Sequence, residues 1–428
     1  MRTNKFRLML NVTMAGILLV PAFAVAPSSF KLLYALKGGN NPGHPYDGVI
    51  FDAAGNLYGT TVEGGALTCD DGPCGTVFRL TPKSGGIWSE STIYRFAGGT
   101  DGWGPFASLT TDGAGNLYGT TGSGGSGSGG TVFDLKQNSN GGWTHSVVYN
   151  FCELTKCADG AGPTGTLILD NVGNLYGTTT AGGSLGGGTA FKLAPNSNGS
   201  WTESVINNFG GPTNGGVPYA GLIFDASGNL YGTASVGGQS SGCENMSSCG
   251  LVFSLNPNGD GSWKEHILHA FTGGRDGGNP YGDLIFDAAG NIYGTTAAGG
   301  GSTSCSGGCG TVFVLKPKSN GKWTESVLHR FNNDEGANPY AGLTFDTDGN
   351  LYGATVNGGS TNAGLIFKLK PRQDGSWDYS VVFDLDGALG ENPYGTPIFN
   401  KADKKLYDTT LNCVEGGQCR GIVFEVTP

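Results

Sequence analysis

Apolar residues along this chain come in short runs that never hold a helical period. In the stretch 338–383, the run AGLTFD (341–346) stops at DTDGN, where Asp and Gly supply side-chain bonding and a positive φ. NLYGATV (350–356) resumes the extended pattern, and a Gly-rich loop leads to GLIFKLK (364–370). After the turn PRQDG comes WDYSVVF (377–383). Gly, aromatic and β-branched residues at this density predict four antiparallel strands, here called a to d. Runs such as Leu222-Ile223-Phe224 and Val77-Phe78 do not alternate with polar residues, so both faces of their sheets must be covered.

The same unit is written seven times. GNLYGTT stands at 55–61, 115–121 and 173–179, with near-copies at 228–234, 290–296 and 349–355 and a worn one, KKLYDTT, at 404–410. The shared tyrosines Tyr58, Tyr118, Tyr176, Tyr231, Tyr293, Tyr352 and Tyr407 step by 60, 58, 55, 62, 59 and 55 residues. A fixed period of this size marks a repeat architecture. Four-stranded sheets stacked face to face around an axis cover both faces of each sheet, whereas the coils of a β-helix are far shorter than this period. The expected fold is all-β: a seven-bladed β-propeller over residues 28–428. Its closure is also predicted. The last repeat stops at GIVFEVTP (421–428), a strand c without a strand d, while LLYALKGG (32–39) aligns with VLHRFNN (327–333) and supplies the missing strand.

The period, the D-x-x-G-N-L-Y-G-T-T core, the GTVFxL strand and the W-(T/S)-E-S strand resemble the GloVer tandem repeat of "choice-of-anchor" secreted bacterial proteins. That resemblance covers essentially the whole mature chain and implies export and a propeller-like fold. It brings no family-wide catalytic residue. Relatives often add a C-terminal sorting segment; this sequence stops at Pro428 without one, so free secretion is expected.

Ahead of the repeats, Arg2, Lys5 and Arg7 precede an apolar run from Val12 to Val20 and the small-residue site Ala22-Phe23-Ala24. This is the layout of a secretory signal peptide over residues 1–24, and no later apolar stretch is long enough for a membrane span. Its removal takes away three positive charges, so the net charge falls from -10 to about -13. An acidic surface argues against nucleic acid and anionic membranes as partners. A secreted or periplasmic monomer is expected. Ten cysteines form five close pairs, Cys69/Cys74, Cys152/Cys157, Cys243/Cys249, Cys305/Cys309 and Cys413/Cys419. In an exported chain these read as disulfides, each worth about 2 kcal/mol in the chain-entropy model. No second Cys pair or His stands at zinc spacing, so no metal site is expected from them.

Antiparallel order puts the b–c and d–a loops at one end of the wheel. The d–a loops close on Pro plus Tyr46, Phe106, Thr164, Tyr219, Tyr281, Tyr340 or Tyr394. With Trp103 nearby, such rings beside Asp101, Asp159, Asp276 and Asn338 would stack on sugars and bond their hydroxyls; the bland alternative is packing that seats strand a. Asp101, Asp159, Asp276 and Asp334 are the carboxylates a Ca²⁺ ion would use, yet no dense oxygen-ligand loop is present, and no cofactor is expected. The turn aspartates (Asp52, Asp112, Asp170, Asp225, Asp287, Asp346) bond their own backbone. No convergent His-carboxylate or Ser-His set is evident, with only His44 in a rim loop. Since every conspicuous residue recurs in nearly all blades, the leading expectation is a non-enzymatic binding module for a glycan or cell-surface protein. The alternatives are a polysaccharide lyase or glycoside hydrolase using rim carboxylates and His44, or a structural matrix protein.

Overall fold

A computed structural model describes residues 30–65, 68–69, 72–211, 213–238, 249–413 and 419–428; the leader (1–24) and Cys243 lie outside the described residues. Seven four-stranded antiparallel sheets follow one another along the chain. Blade 1 is typical, with strand a at Ile50–Phe51, b at Leu57–Thr61, c at Thr76–Pro82 and d at Trp88–Arg95. The seventh sheet is built from Ile398–Asn400, Lys405–Thr410 and Ile422–Val426, and its outer strand is the N-terminal Lys31–Ala35. The ring closes as the pattern predicts, hiding two edges in one sheet. Among the described residues, no helix is long and apolar enough to cross a membrane.

The closing strand carries the signature of the others. Each c–d pair slips register once, as between Val77 and Phe78 opposite Tyr94 and Thr92, which leaves Ile93 unpaired. In the closing strand the same slip falls between Leu32 and Tyr34, leaving Leu33. This bulge turns the extra side chain inward: Leu33 is buried, and Ile93 packs on the core. Strand a is shorter than the apolar run suggests. Only two residues join the ladder in six blades, because the residues before them turn away toward the axis.

Apolar packing lies between sheets. Val49, Leu57, Phe78 and Leu80 of blade 1 form one cluster with Leu33, Tyr407 and Val423 of blade 7, and six further clusters straddle the six other blade junctions. The repeated Tyr and Trp meet across these junctions, as Tyr58 and Trp143 do edge to face at 6.0 Å between ring centroids. The tight end of the wheel is fixed by the turn aspartates. Asp52 Oδ1 accepts the Ala54 and Asn56 N–H groups at 2.9 and 2.8 Å, and Oδ2 accepts Asn56 Nδ2 at 2.7 Å and the Tyr58 hydroxyl at 3.1 Å. The same four bonds recur around Asp225. Each such turn ties strand b back to strand a.

Candidate ligand-binding cup at the channel mouth

At the other end, one local geometry repeats seven times. The residue before each rim proline (His44, Gly104, Gly162, Val217, Asn279, Asn338, Asn392) takes a positive φ between 53 and 68°. Its N–H bonds a carbonyl at the start of strand c in the preceding blade, as Val217 N does to Gly187 O at 2.8 Å. The proline then packs on the glycine that opens that strand. A Cβ on Gly188 would stand 2.0 Å from Thr179 O and 3.1 Å from Pro218 Cδ, so this junction requires glycine. In four of the seven junctions a strand-b threonine adds a further tie, such as Thr60 Oγ1 to Ala107 O at 2.8 Å.

The proline half of each pair is therefore packing. The aromatic half faces the axis. Phe106, Tyr46, Tyr394, Tyr340, Tyr281 and Tyr219 touch in turn around the mouth, with centroid separations of 5.3, 4.7, 5.5, 5.1 and 5.1 Å; the first pair is T-shaped, the second stacked and the rest tilted. Thr164 occupies the seventh place and breaks the ring. Together they wall a cavity of about 390 Å³. Burial, reinforced by neighbouring tyrosines, pushes Tyr46 and Tyr281 up to about 12, so their hydroxyls remain protonated donors at neutral pH.

The floor is made where strand-a backbones converge. A Cβ on Gly221 would lie 2.3 Å from Thr166 O, and one on Gly48 2.8 Å from Thr396 O, so the blades meet there backbone to backbone. Polar side chains bridge the gaps. Asp47 takes the Gly48 and Ser108 N–H groups at 2.6 and 2.8 Å, Asp283 takes Gly221 N–H at 2.7 Å, and Thr396 Oγ1 takes Gly342 N–H at 2.9 Å. Asp47 and Asp283 both line the cavity. Burial raises both carboxyls; the charge of Asp47 adds to the effect on Asp283, which reaches about 6. Behind them stands Asp408, fully buried in strand b of blade 7, where the six other blades have glycine. Its Oδ1 accepts the Thr409 N–H at 2.8 Å, its Oδ2 has no partner, and burial followed by the charge of Asp47 raises its pKa well above the ordinary carboxylate value.

The structure thus brings Tyr46, Phe106, Tyr219, Tyr281, Tyr340 and Tyr394 together and places the other candidates elsewhere. Asp101 accepts the Tyr94 hydroxyl and the Ala97 N–H, both at 2.7 Å. Asp159 accepts from Tyr149, Glu153 and Leu154, and Asp276 from Thr272. All three shape d–a loops outside the cup. Asn338 spends its amide on Ala297 O at 2.9 Å, and Trp103 pairs by its backbone with Ser123 and packs on the blade 1–2 core. His44 is bonded to Glu63 at 2.9 Å and does not line the cavity. Among the described residues, no group of three His, Cys, Asp or Glu is placed to hold a metal ion. Four disulfides, Cys69–Cys74, Cys152–Cys157, Cys305–Cys309 and Cys413–Cys419, brace loops on the cup face; Cys249 is also disulfide-bonded. Cys309 O holds the Asn338 N–H at 2.9 Å, so this bridge buttresses the next blade's rim residue. Pattern reading missed Asp47, Asp283 and Asp408. The signal was there: each is an acid where the repeat otherwise has Ala, Gly, Ser or Thr.

The Gloeobacter/Verrucomicrobia repeat matches residues 20–244 and 241–428. No curated protein matches the chain. Among solved structures, an ancestral GH74 enzyme is similar with a TM-score of 0.57 at 10% identity; the match covers 91% of this chain and 48% of that one, so the chain spans about half its length. Matching solved chains number 237, and at this identity the likeness shows the architecture alone.

Proposed function

The chain belongs to the Gloeobacter/Verrucomicrobia repeat family, and from that premise we propose that it is an exported binding module whose ligand, a saccharide unit of an extracellular glycan or cell surface, seats in the aromatic cup. The observation carrying this reading is the contact chain of six rings around one cavity, on a face stiffened by disulfides. Flat rings offer stacking surface at small entropic cost, tyrosine hydroxyls offer hydrogen bonds, and a rigid scaffold needs little ordering on binding. A volume of about 390 Å³ sits near the low end of the range for small-ligand sites, about 300–1,000 Å³. That size suits a chain end or a single residue over a long polymer segment. Export accords with the leader pattern and with local disulfides.

A glycan array with purified mature protein tests the proposal. The paired change Tyr281→Ala and Tyr340→Ala is expected to abolish any saccharide signal while leaving the melting temperature within a few degrees. A signal indifferent to that pair would remove the cup from the reading. A glycoside hydrolase or lyase is the second reading, favoured by Asp47 and Asp283 sharing one floor. It predicts release of reducing ends from a bound polysaccharide, lost in Asp283→Asn.

A further inference from the structure

We infer that the saccharide taken by this cup carries a free, protonated amine, making it an aminohexose whose nitrogen is not acylated. The inference rests on the binding reading above and narrows its ligand.

Three observations carry it. The cavity lining holds six aromatic rings and two carboxyl groups but no Lys, Arg or His, so an entering ligand meets only π faces, small polar groups and negative charge. Ring faces attract cations, most strongly where water is displaced. Secondly, the floor has acceptor capacity to spare. Asp283 lines the cavity and its Oδ1 takes Gly221 N–H, while behind the lining Asp408 Oδ2 is buried with no partner. No cationic side chain bridges Asp47, Asp283 or Asp408 among the described residues. Unpaired buried carboxyls are costly, and a cation arriving from outside relieves that cost.

Thirdly, these acids depart from the repeat, and all three departures converge on the axis. The position after the rim aromatic is Ala or Gly in six blades and Asp47 in the first; the next is Gly, Ser or Thr in six and Asp283 in the fifth. Asp408 replaces the strand-b glycine in blade 7 alone. In that blade Pro397 stands where the others have Val49 or Leu. The charge of Asp47 acts on both Asp283 and Asp408.

Titration calorimetry of the mature protein separates the possibilities. The probes are glucosamine trimer, N-acetylglucosamine trimer, cellotriose, tetramethylammonium chloride and calcium chloride. The free-amine trimer is expected to bind about tenfold more tightly than its acetylated and neutral counterparts, the scale of one desolvated charge contact. Asp283→Asn should erase that preference and leave weak binding of all three sugars; Asp408→Gly, which restores the residue of six blades, should reduce it. The titratable groups lining the cavity are Asp47, Asp283 and five tyrosines, with Asp408 buried behind them. The amine preference should therefore fade as pH drops through about 6, where Asp283 takes its proton. Equal binding of free and acetylated trimers would overturn the inference while leaving the glycan reading standing. Asp283-dependent binding of calcium or tetramethylammonium that matches the amino sugar would overturn it in favour of a plain cation site. No sugar binding at all would remove both.

Discussion

Two sets of aspartates stand at opposite ends of the wheel. The turn aspartates, such as Asp52 and Asp225, each accept four hydrogen bonds from their own blade, and although burial acts to raise them, those bonds outweigh it and hold their carboxyls below the ordinary value. At Asp47, Asp283 and Asp408 burial outweighs the hydrogen bonds they accept, so theirs are raised. The first set is written in six of seven repeats; the second occurs once per position. In a repeat protein the recurring polar residue builds the blade. The one that breaks the repeat is where the wheel stops being symmetric, and a ligand without sevenfold symmetry can be told apart only there.

The sharpest break of the comparison is to exchange fates. Asp225→Ala strips the donors Ser227 N, Asn229 N, Asn229 Nδ2 and Tyr231 Oη of their acceptor. A loss of about 3 kcal/mol is expected, since bonds to a charged group each contribute about 1.5–3 kcal/mol but some donors here regain water. Asp408→Gly should do the reverse. It removes a fully buried carboxyl with one unpartnered oxygen, and a gain of about 1–2 kcal/mol at pH 7 is expected. Denaturant melts of both variants decide the matter; a destabilised Asp408→Gly would show that this acid holds the seam together.

Much of this was legible before any coordinates. The turn chemistry around Asp52, the strand period and the missing seventh strand d all follow from local rules that act within one repeat. The six rim aromatics were legible as a set for the same reason. What escaped depends on contacts between blades. Nothing in STIYRF announces that Ile93 is the extra residue of a bulge, because the slip shows only against strand c opposite it. The left-handed turn at Val217 was hidden because a β-branched residue disfavours a positive φ; Gly104, Gly162, Asn279, Asn338 and Asn392 at the equivalent positions hinted at it. The axial acids were overlooked because periodicity draws the eye to what recurs.

Val217 offers a smaller test of how far the rim is shaped for the cup. A β-branched residue at φ 53° is strained, and the three asparagines at equivalent rim positions relieve that strain and add a bond, as Asn279 Nδ2 does to Ser235 O at 2.9 Å. Val217→Asn should stabilise the protein by about 1 kcal/mol. Saccharide affinity is expected to stay unchanged, because Tyr219 keeps its place through Pro218. A changed affinity would mean that the strained backbone itself sets the ring's position.

The finest distinction lies at the periphery, where Glu203, Glu265 and Glu325 sit half-buried at equivalent positions of three strands d. Burial pushes each from 4.5 up to about 7; the charge of Asp159 adds to it at Glu203 and that of Asp276 at Glu325. A carboxyl raised on folding contributes stability that is fully present below about pH 4.5 and lost as pH rises through about 7. The turn aspartates act oppositely: their contribution is present above the unfolded value of 3.8 and lost as pH falls through their lowered folded values. Stability should therefore be greatest near pH 4 to 4.5, and decline as pH rises to about 7 by a few tenths of a kcal/mol per glutamate once solvent screening is allowed for. Glu203→Gln keeps the shape and removes the titration. Its melting temperature should fall less between pH 5 and 7 than that of the parent, whereas parallel profiles would place that loss in the axial carboxyls instead.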